Sequence, residues 1–272
     1  NTAHWSNRPE GALFFSVFNL EITHQSRIFG DDAVYRERIA PWMDHIEPAD
    51  PDSLQLLPYY PDTPVVRKLW ARYYTNIAIM DHQFGEILSE LEAAGLDDDT
   101  IVFFYSDHGT GMPRAKRALY DSGLRVPLLI HVPERYASAW GLEMGTERDT
   151  VVDFLDLAPT VLRLCGIEIP DSMAGDAFLP EAPLPGEPGY AFGTSDRVDE
   201  AFELSRTLRT KRFRYVRNFL PHLPLLQPNF YTDQSAIMEE LFRVRSASSE
   251  PMHLFRERRE AEEFYDVASD PH

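Results

Sequence analysis

Residues 65–109 restrict the possible folds of this chain more than any other stretch. From 65 to 94, Val65, Leu69, Tyr73, Ile77, Met80, Phe84, Leu88 and Leu91 recur every three or four positions, which lines them along one face of a long α-helix. Gly95 supplies a stop. After Asp97-Asp98-Asp99, the run Thr100-Ile101-Val102-Phe103-Phe104-Tyr105 shows no helical period. It reads as a strand buried on both faces that delivers Ser106-Asp107-His108-Gly109 at its C-terminal end. A helix feeding a doubly buried strand is the unit of an α/β sheet, and ligands gather at the carboxyl ends of such strands.

Two further runs extend this pattern. Residues 11–20, Gly-Ala-Leu-Phe-Phe-Ser-Val-Phe-Asn-Leu, and 126–132, Val-Pro-Leu-Leu-Ile-His-Val, both read as buried strands. A helix follows the second, with Asp156 as its cap, Pro159 in its first turn and Gly166 closing it. The expected fold is therefore α/β, a doubly wound, mostly parallel sheet flanked by helices. Residues 30–63 have no sustained period and carry Pro48, Pro51, Pro58 and Pro61, which predicts a long surface excursion. Between 170 and 189 the chain turns rich in Pro and Gly. That passage divides a larger domain at 1–185 from a smaller α+β subdomain at 186–272, with hairpin strands expected within 206–218 and a helix at 236–245.

Charge limits the partners. The chain has 26 Lys and Arg against 44 Asp and Glu, a net charge of -18, so a nucleic-acid backbone would be repelled and no nucleic-acid partner is expected. An anionic small molecule can still bind if local cations or a divalent metal invert the field in one pocket. No stretch reaches the roughly 18 apolar residues of a membrane span. The single cysteine, Cys165, follows Val161-Leu162-Arg163-Leu164 and is expected to be a buried thiol.

Asp107 and His108 pair a hard and a borderline metal ligand on the turn leaving a buried strand. The same residues would also suit a plain turn closed by an Asx hydrogen bond. Their surroundings add more. Ser106-Asp107-His108-Gly109, then Pro113-Arg114-Ala115-Lys116-Arg117 and Tyr120-Asp121-Ser122-Gly123-Leu124-Arg125-Val126-Pro127, resemble the sulfatase family of the alkaline-phosphatase superfamily. So do, in the same chain order, Phe14-Phe15-Ser16-Val17-Phe18-Asn19 leading to Thr23-His24, the helix bearing Tyr73-Tyr74 and Asp81, Asp156-Leu157-Ala158-Pro159-Thr160, and Glu263-Phe264-Tyr265-Asp266. Leu57-Pro58-Tyr59-Tyr60-Pro61-Asp62-Thr63-Pro64 and the segment from Arg206 to Asn218 resemble the heparan N-sulfatase, or N-sulfoglucosamine sulfohydrolase, type within it.

The resemblance implies an alkaline-phosphatase-like fold and hydrolysis of a sulfated carbohydrate or aryl sulfate. It implies that Asp107 and His108 help complete a divalent metal site, calcium in that family, and that Lys116 and His24 contact the sulfate. Positioned cations and a divalent ion suit charge spread over sulfate oxygens, and an imidazole suits protonation of the leaving group near neutrality. Arg114 is a further candidate for substrate binding, and Arg197, in Ser195-Asp196-Arg197, could reach the substrate from the smaller subdomain. Relatives of this kind are commonly exported, periplasmic or secreted, or lysosomal.

One departure stands out against that resemblance. Sulfatases carry a Cys/Ser-x-Pro-x-Arg motif oxidised to formylglycine, and residues 1–272 contain none; Cys165 is followed by Gly-Ile-Glu-Ile-Pro. The family's formylglycine and two metal-binding aspartates are expected in a segment preceding Asn1, so the chain is expected to begin inside a domain and not to turn over substrate by itself. Two other functions would use such a scaffold. A phosphodiesterase or phosphonate hydrolase of the same superfamily would need a second metal site, for which His131, His222 and His253 show no ligand spacing. A non-catalytic carbohydrate-binding protein would use an aromatic and basic surface such as Phe213, Tyr215, Arg217 and Phe219, although their alternation also suits a strand packed on one face.

Overall fold

Thr63 begins the principal helix by accepting a hydrogen bond from the Val66 backbone through its side chain, and Pro64 occupies the first turn, where no amide donor is required. The computed structural model describes residues 4–180, 189–248 and 252–270. Within them the helices are α1 (Gln25–Ile28), α2 (Asp32–Ile39), α3 (Pro64–Ala93), α4 (Asp121–Leu124), α5 (Glu134–Trp140), α6 (Leu157–Leu164), α7 (Phe230–Asp233) and α8 (Ala236–Ala247). The strands are β1 (Val102–Tyr105), β2 (Leu128–His131), β3 (Tyr190–Val198), β4 (Ala201–Thr210), β5 (Phe213–Asn218) and β6 (Glu262–Asp266). Gly95, with φ of 64°, takes the left-handed conformation that ends α3.

The core forms where α3 packs on α1 and α8. Ile28, Val66, Leu69, Met112, Ile237, Leu241 and Leu254 are almost wholly removed from water there. The chain is thus α/β, with helices against sheets, and the expected helices at 65–94, 157–164 and 236–245 are present within a few residues. The hairpin expected within 206–218 belongs to a four-stranded sheet ordered β3-β4-β5-β6. The expected boundary at 185/186 lies outside the described residues. No helix among the described residues is long and apolar enough to cross a membrane.

Four local expectations are corrected. The described strand pairs are all antiparallel, including β1 with β2, where Val102 faces His131 and Tyr105 faces Leu128. A parallel pair needs a crossover long enough to carry the chain back along the sheet; residues 106–127 instead form a tight loop with only the four-residue α4, and they reverse the chain. Residues 11–20 run without strand pairing among the described residues, and Leu13 is 98% exposed, because an apolar strand is stable only with neighbours along its edges. Residues 30–63 are not simply a surface excursion. Asp32, at the start of α2, pairs with Lys68 at 3.0 Å and with Arg72, and Arg72 also donates to the carbonyls of Ile28 and Gly30 at 3.1 and 2.7 Å. Those bonds pin α2 to α3, so that Tyr35 and Ile39 are buried. Cys165 is exposed, because it sits just past the last turn of α6 and not on its buried face.

Candidate active site

The site begins at the carboxyl end of β1. There the chain turns sharply: the Ser106 hydroxyl donates to the His108 carbonyl at 2.7 Å, and the Gly109 amide donates to the Gly123 carbonyl at 2.9 Å. A Cβ on Gly109 would fall 1.8 Å from the Ser122 carbonyl oxygen, so only glycine permits this approach. His108 Nδ1 lies 2.6 Å from the Gly109 carbonyl. A carbonyl can only accept, so Nδ1 carries the proton and Nε2 offers a lone pair. Nε2 lies 3.5 Å from an oxygen of Asp107, whose side chain is 81% exposed.

Residues 110–120 form the next wall, and their path is set by backbone and side-chain bonds together. The Lys116 amide donates to the Thr110 carbonyl at 2.9 Å, the Ser122 hydroxyl to the Arg114 carbonyl at 2.5 Å, and the Tyr60 hydroxyl to the Pro113 carbonyl. Arg114 and Arg117 have positive φ of 66° and 80°, a conformation that costs free energy in residues with a Cβ and persists only where neighbours impose it. The neighbours of Arg114 are two rings. Its guanidinium lies 4.5 Å from the Tyr59 centroid and 4.2 Å from that of Tyr120.

The loop is pressed against α1. A Cβ on Gly111 would fall 2.2 Å from the Gln25 Cβ, and Arg117 Nη1 donates to Gln25 Oε1 at 3.1 Å. This contact brings the neighbouring His24, the residue that caps α1, next to Lys116. His24 Nδ1 accepts from the Ser26 amide at 3.3 Å, which leaves Nε2–H as the donor of the neutral ring. Burial holds the His24 pKa below its ordinary 6.5, and the positive charges of Lys116 and Arg27 and the ring of His108 add to the effect, against Glu21. Burial likewise lowers the Lys116 pKa, with help from Arg117, while Asp107 and Asp199 oppose it. His24, His108, Asp107 and Lys116 are therefore within electrostatic reach of one another. His24, Asp107 and His108 line a cleft of about 2220 Å³ with the α3 face bearing Ile77, Met80 and Phe84.

Two other expected residues are placed differently. Arg114 is 5% exposed and clamped inside the wall, and neither it nor Lys116 is among the residues that line the open cleft. Arg197 folds back on its own hairpin, where Nε donates to the Asp199 carbonyl at 2.6 Å and the guanidinium lies 5.1 Å from the Phe202 ring. The tip of that hairpin does approach the site, through Asp199. Neither Gln25 nor Asp199 was marked by any local motif, since each acts through a contact between segments far apart in the chain. Tyr59 could have been found: it stands in the Leu57-Pro58-Tyr59-Tyr60 segment singled out for its resemblance alone.

Asp107 and His108 fit part of a metal's coordination shell. The imidazole nitrogen not facing the site is held by a backbone carbonyl, the usual arrangement for a ligating histidine. They do not make a whole shell, because among the described residues no group of three or more His, Cys, Asp or Glu could hold an ion.

Gly123 closes the loop from below. A Cβ there would meet the carbonyl oxygens of Ala115 and Ala118 at 2.3 and 2.4 Å, both backbone atoms that cannot move aside independently. Gly123→Ala is expected to cost about 1–3 kcal/mol in stability and to displace Lys116. Urea unfolding, with the Lys116 amide resonance followed by NMR, would check it.

A family model described as Sulfatase matches residues 14–167. An ulvan-active sulfatase from Formosa agariphila is 34% identical over 99% of this chain and 48% of its own length. The human N-sulphoglucosamine sulphohydrolase is 31% identical over 90% of this chain and 50% of its own. A solved structure described with the metabolism of multiple glycosaminoglycans by Bacteroides thetaiotaomicron superposes with a TM-score of 0.56 at 19% identity, covering 97% of this chain and 46% of that one. At that identity the likeness concerns the fold alone. The chain spans about half the length of the curated relatives it matches.

Proposed function

Because this chain belongs to the sulfatase family, we propose that residues 1–272 hold and polarise the sulfate group of a sulfated carbohydrate during its hydrolysis, as an O-sulfate or an N-sulfate. The observation that carries this reading is that His24, Asp107 and His108 line one cleft while Lys116, in the adjoining loop, lies within electrostatic reach of His24 and Asp107, in a chain whose net charge is -18. Lys116 and Arg27 put positive charge beside His24, and cations gathered locally in an acidic protein suit a small anion. The names of the relatives, an ulvan-active sulfatase and an N-sulphoglucosamine sulphohydrolase, support a glycan as carrier.

The roles follow from the groups present. The Lys116 ammonium lies against the sulfate oxygens and stabilises charge that grows there in the transition state. His24, neutral at pH 7 with its proton on Nε2, donates a hydrogen bond to the sulfate or the leaving atom. Asp107 and His108 would contribute two donors to a divalent, calcium-class ion, which when bound would add Lewis-acid stabilisation of the sulfate. Attack on sulfur is assigned to a formylglycine, for which residues 1–272 carry no Cys/Ser-x-Pro-x-Arg precursor.

The test is a titration of the chain with inorganic sulfate, followed by NMR at the histidine ring protons. The His24 midpoint is expected below 6.5 in the free chain, and bound sulfate, which stabilises the imidazolium, is expected to raise it. Ring signals of His24 that stay unmoved at saturating sulfate would overturn the reading. Hydrolysis of bis(p-nitrophenyl) phosphate in preference to p-nitrophenyl sulfate by the native protein would point instead to phosphoryl transfer.

A further inference from the structure

On the far side of the Lys116 loop lies a second, smaller cavity of about 100 Å³, between that loop, the first two strands of the four-stranded sheet and α8. A single water needs roughly 10–15 Å³ of such space, so the cavity can hold a group of several heavy atoms. One of its cations is Arg259, whose side chain is 7% exposed. Two of the three guanidinium nitrogens have partners: Nε donates to the Leu223 carbonyl at 3.2 Å and Nη1 to Glu203 Oε1 at 2.7 Å. Nη2 is buried and has none among the described residues.

An arginine nitrogen removed from water without an acceptor costs a large desolvation free energy, and folded proteins rarely leave one so. The walls show what would satisfy it. The lining includes four cationic side chains, Arg114, Lys116, Arg117 and Arg259, against one carboxylate, Glu203. That carboxylate is already engaged by Arg259 Nη1 and by the Ser205 hydroxyl. An excess of positive charge in a chain of net charge -18 marks a place for an anion. The position of Lys116 on this wall sets the cavity beside the proposed sulfate site.

Resting on the sulfatase reading above, we propose that this cavity is a second anion site, which takes a carboxylate or a further sulfate of the glycan whose first sulfate lies at Lys116. Arg259 Nη2 is the donor that recognises it, and the distance between the two sites selects glycans that carry both anions. Neutral sugars lack the acceptor charge that would compensate the buried guanidinium.

The experiment compares binding of D-glucuronate, D-glucose 6-sulfate and D-glucose to the 272-residue chain by saturation-transfer NMR and calorimetry. Arg259→Lys keeps a cation for Glu203 and removes the free Nη2. Gln227→Glu, at a half-buried position of the cavity wall, adds a carboxylate to the cavity without altering Arg259 and guards against a folding defect in the first variant. At least a tenfold loss of glucuronate or glucose 6-sulfate affinity is expected in Arg259→Lys and a severalfold loss in Gln227→Glu. The ligand that loses affinity identifies the source of the anion. Equal affinity of wild type and both variants for the two anions, or glucose binding as tightly as they do, would sink the proposal. Inorganic sulfate is titrated in parallel. If it fails to bind while the Arg259-dependent loss is seen, the sulfatase reading of the first site fails and the second anion site stands.

Discussion

Asp121→Ala is expected to lower the unfolding free energy of this chain by about 3–5 kcal/mol, the range found when one partner of a buried ion pair is removed. Asp121 is the first residue of the short α4, directly after the Lys116 wall, and accepts from two arginines of the neighbouring sheet, Arg209 at 3.0 Å and Arg214. Arg214 is 3% exposed and also donates to the Leu119 carbonyl at 2.8 Å. Burial raises the Asp121 pKa, but the hydrogen bonds and charges of Arg209 and Arg214 outweigh it, and the carboxyl is held below its ordinary 3.8. The sign follows. The group releases its proton more readily when folded, so its stabilisation is complete above the unfolded carboxylate value and is lost as pH falls through the depressed folded value. Urea unfolding of wild type and Asp121→Ala between pH 7 and pH 3 should show the gap closing toward acid. A gap that stays constant would mean that Asp121 acts by packing and not by charge.

The second large effect concerns the sulfate. Under the proposed function, Lys116→Ala is expected to reduce turnover of an aryl sulfate by the native enzyme about 10²–10³-fold, as for the loss of one positioned donor to a developing oxyanion. The lysine is half-buried and makes no ion pair among the described residues, so unfolding stability should change little. Because burial and Arg117 draw its pKa below the ordinary 10.5, the ammonium loses its charge earlier as pH rises. Sulfate affinity should therefore weaken at a lower pH than an exposed lysine would dictate, and Lys116→Arg should restore binding at high pH. A Lys116→Ala enzyme with unchanged kcat and KM would remove this residue from the site.

Much of the architecture was legible before any coordinates. The spacing of Val65, Leu69, Tyr73 and Ile77 and the stop at Gly95 determined α3, because one apolar face and one left-handed glycine are local properties. The run 100–105 likewise determined β1 and, with it, the exit point of Asp107 and His108. The position of Lys116 close behind that turn was legible only through resemblance.

What the tertiary structure decided is the set of features that depend on residues distant in the chain. Nothing in the local sequence of Arg114 says that Tyr59 and Tyr120 will hold it, so a candidate for the substrate became part of the wall. The direction of β2 was settled by how the loop 106–127 packs, since an apolar run accepts either a parallel or an antiparallel neighbour. The sheet that meets the Lys116 wall through Asp121, and the unpartnered Nη2 of Arg259, arise where β4, β5 and the 259 region converge on residues more than 80 positions earlier. Periodicity reports which face of an element avoids water; which other element covers that face is decided by packing among all of them at once.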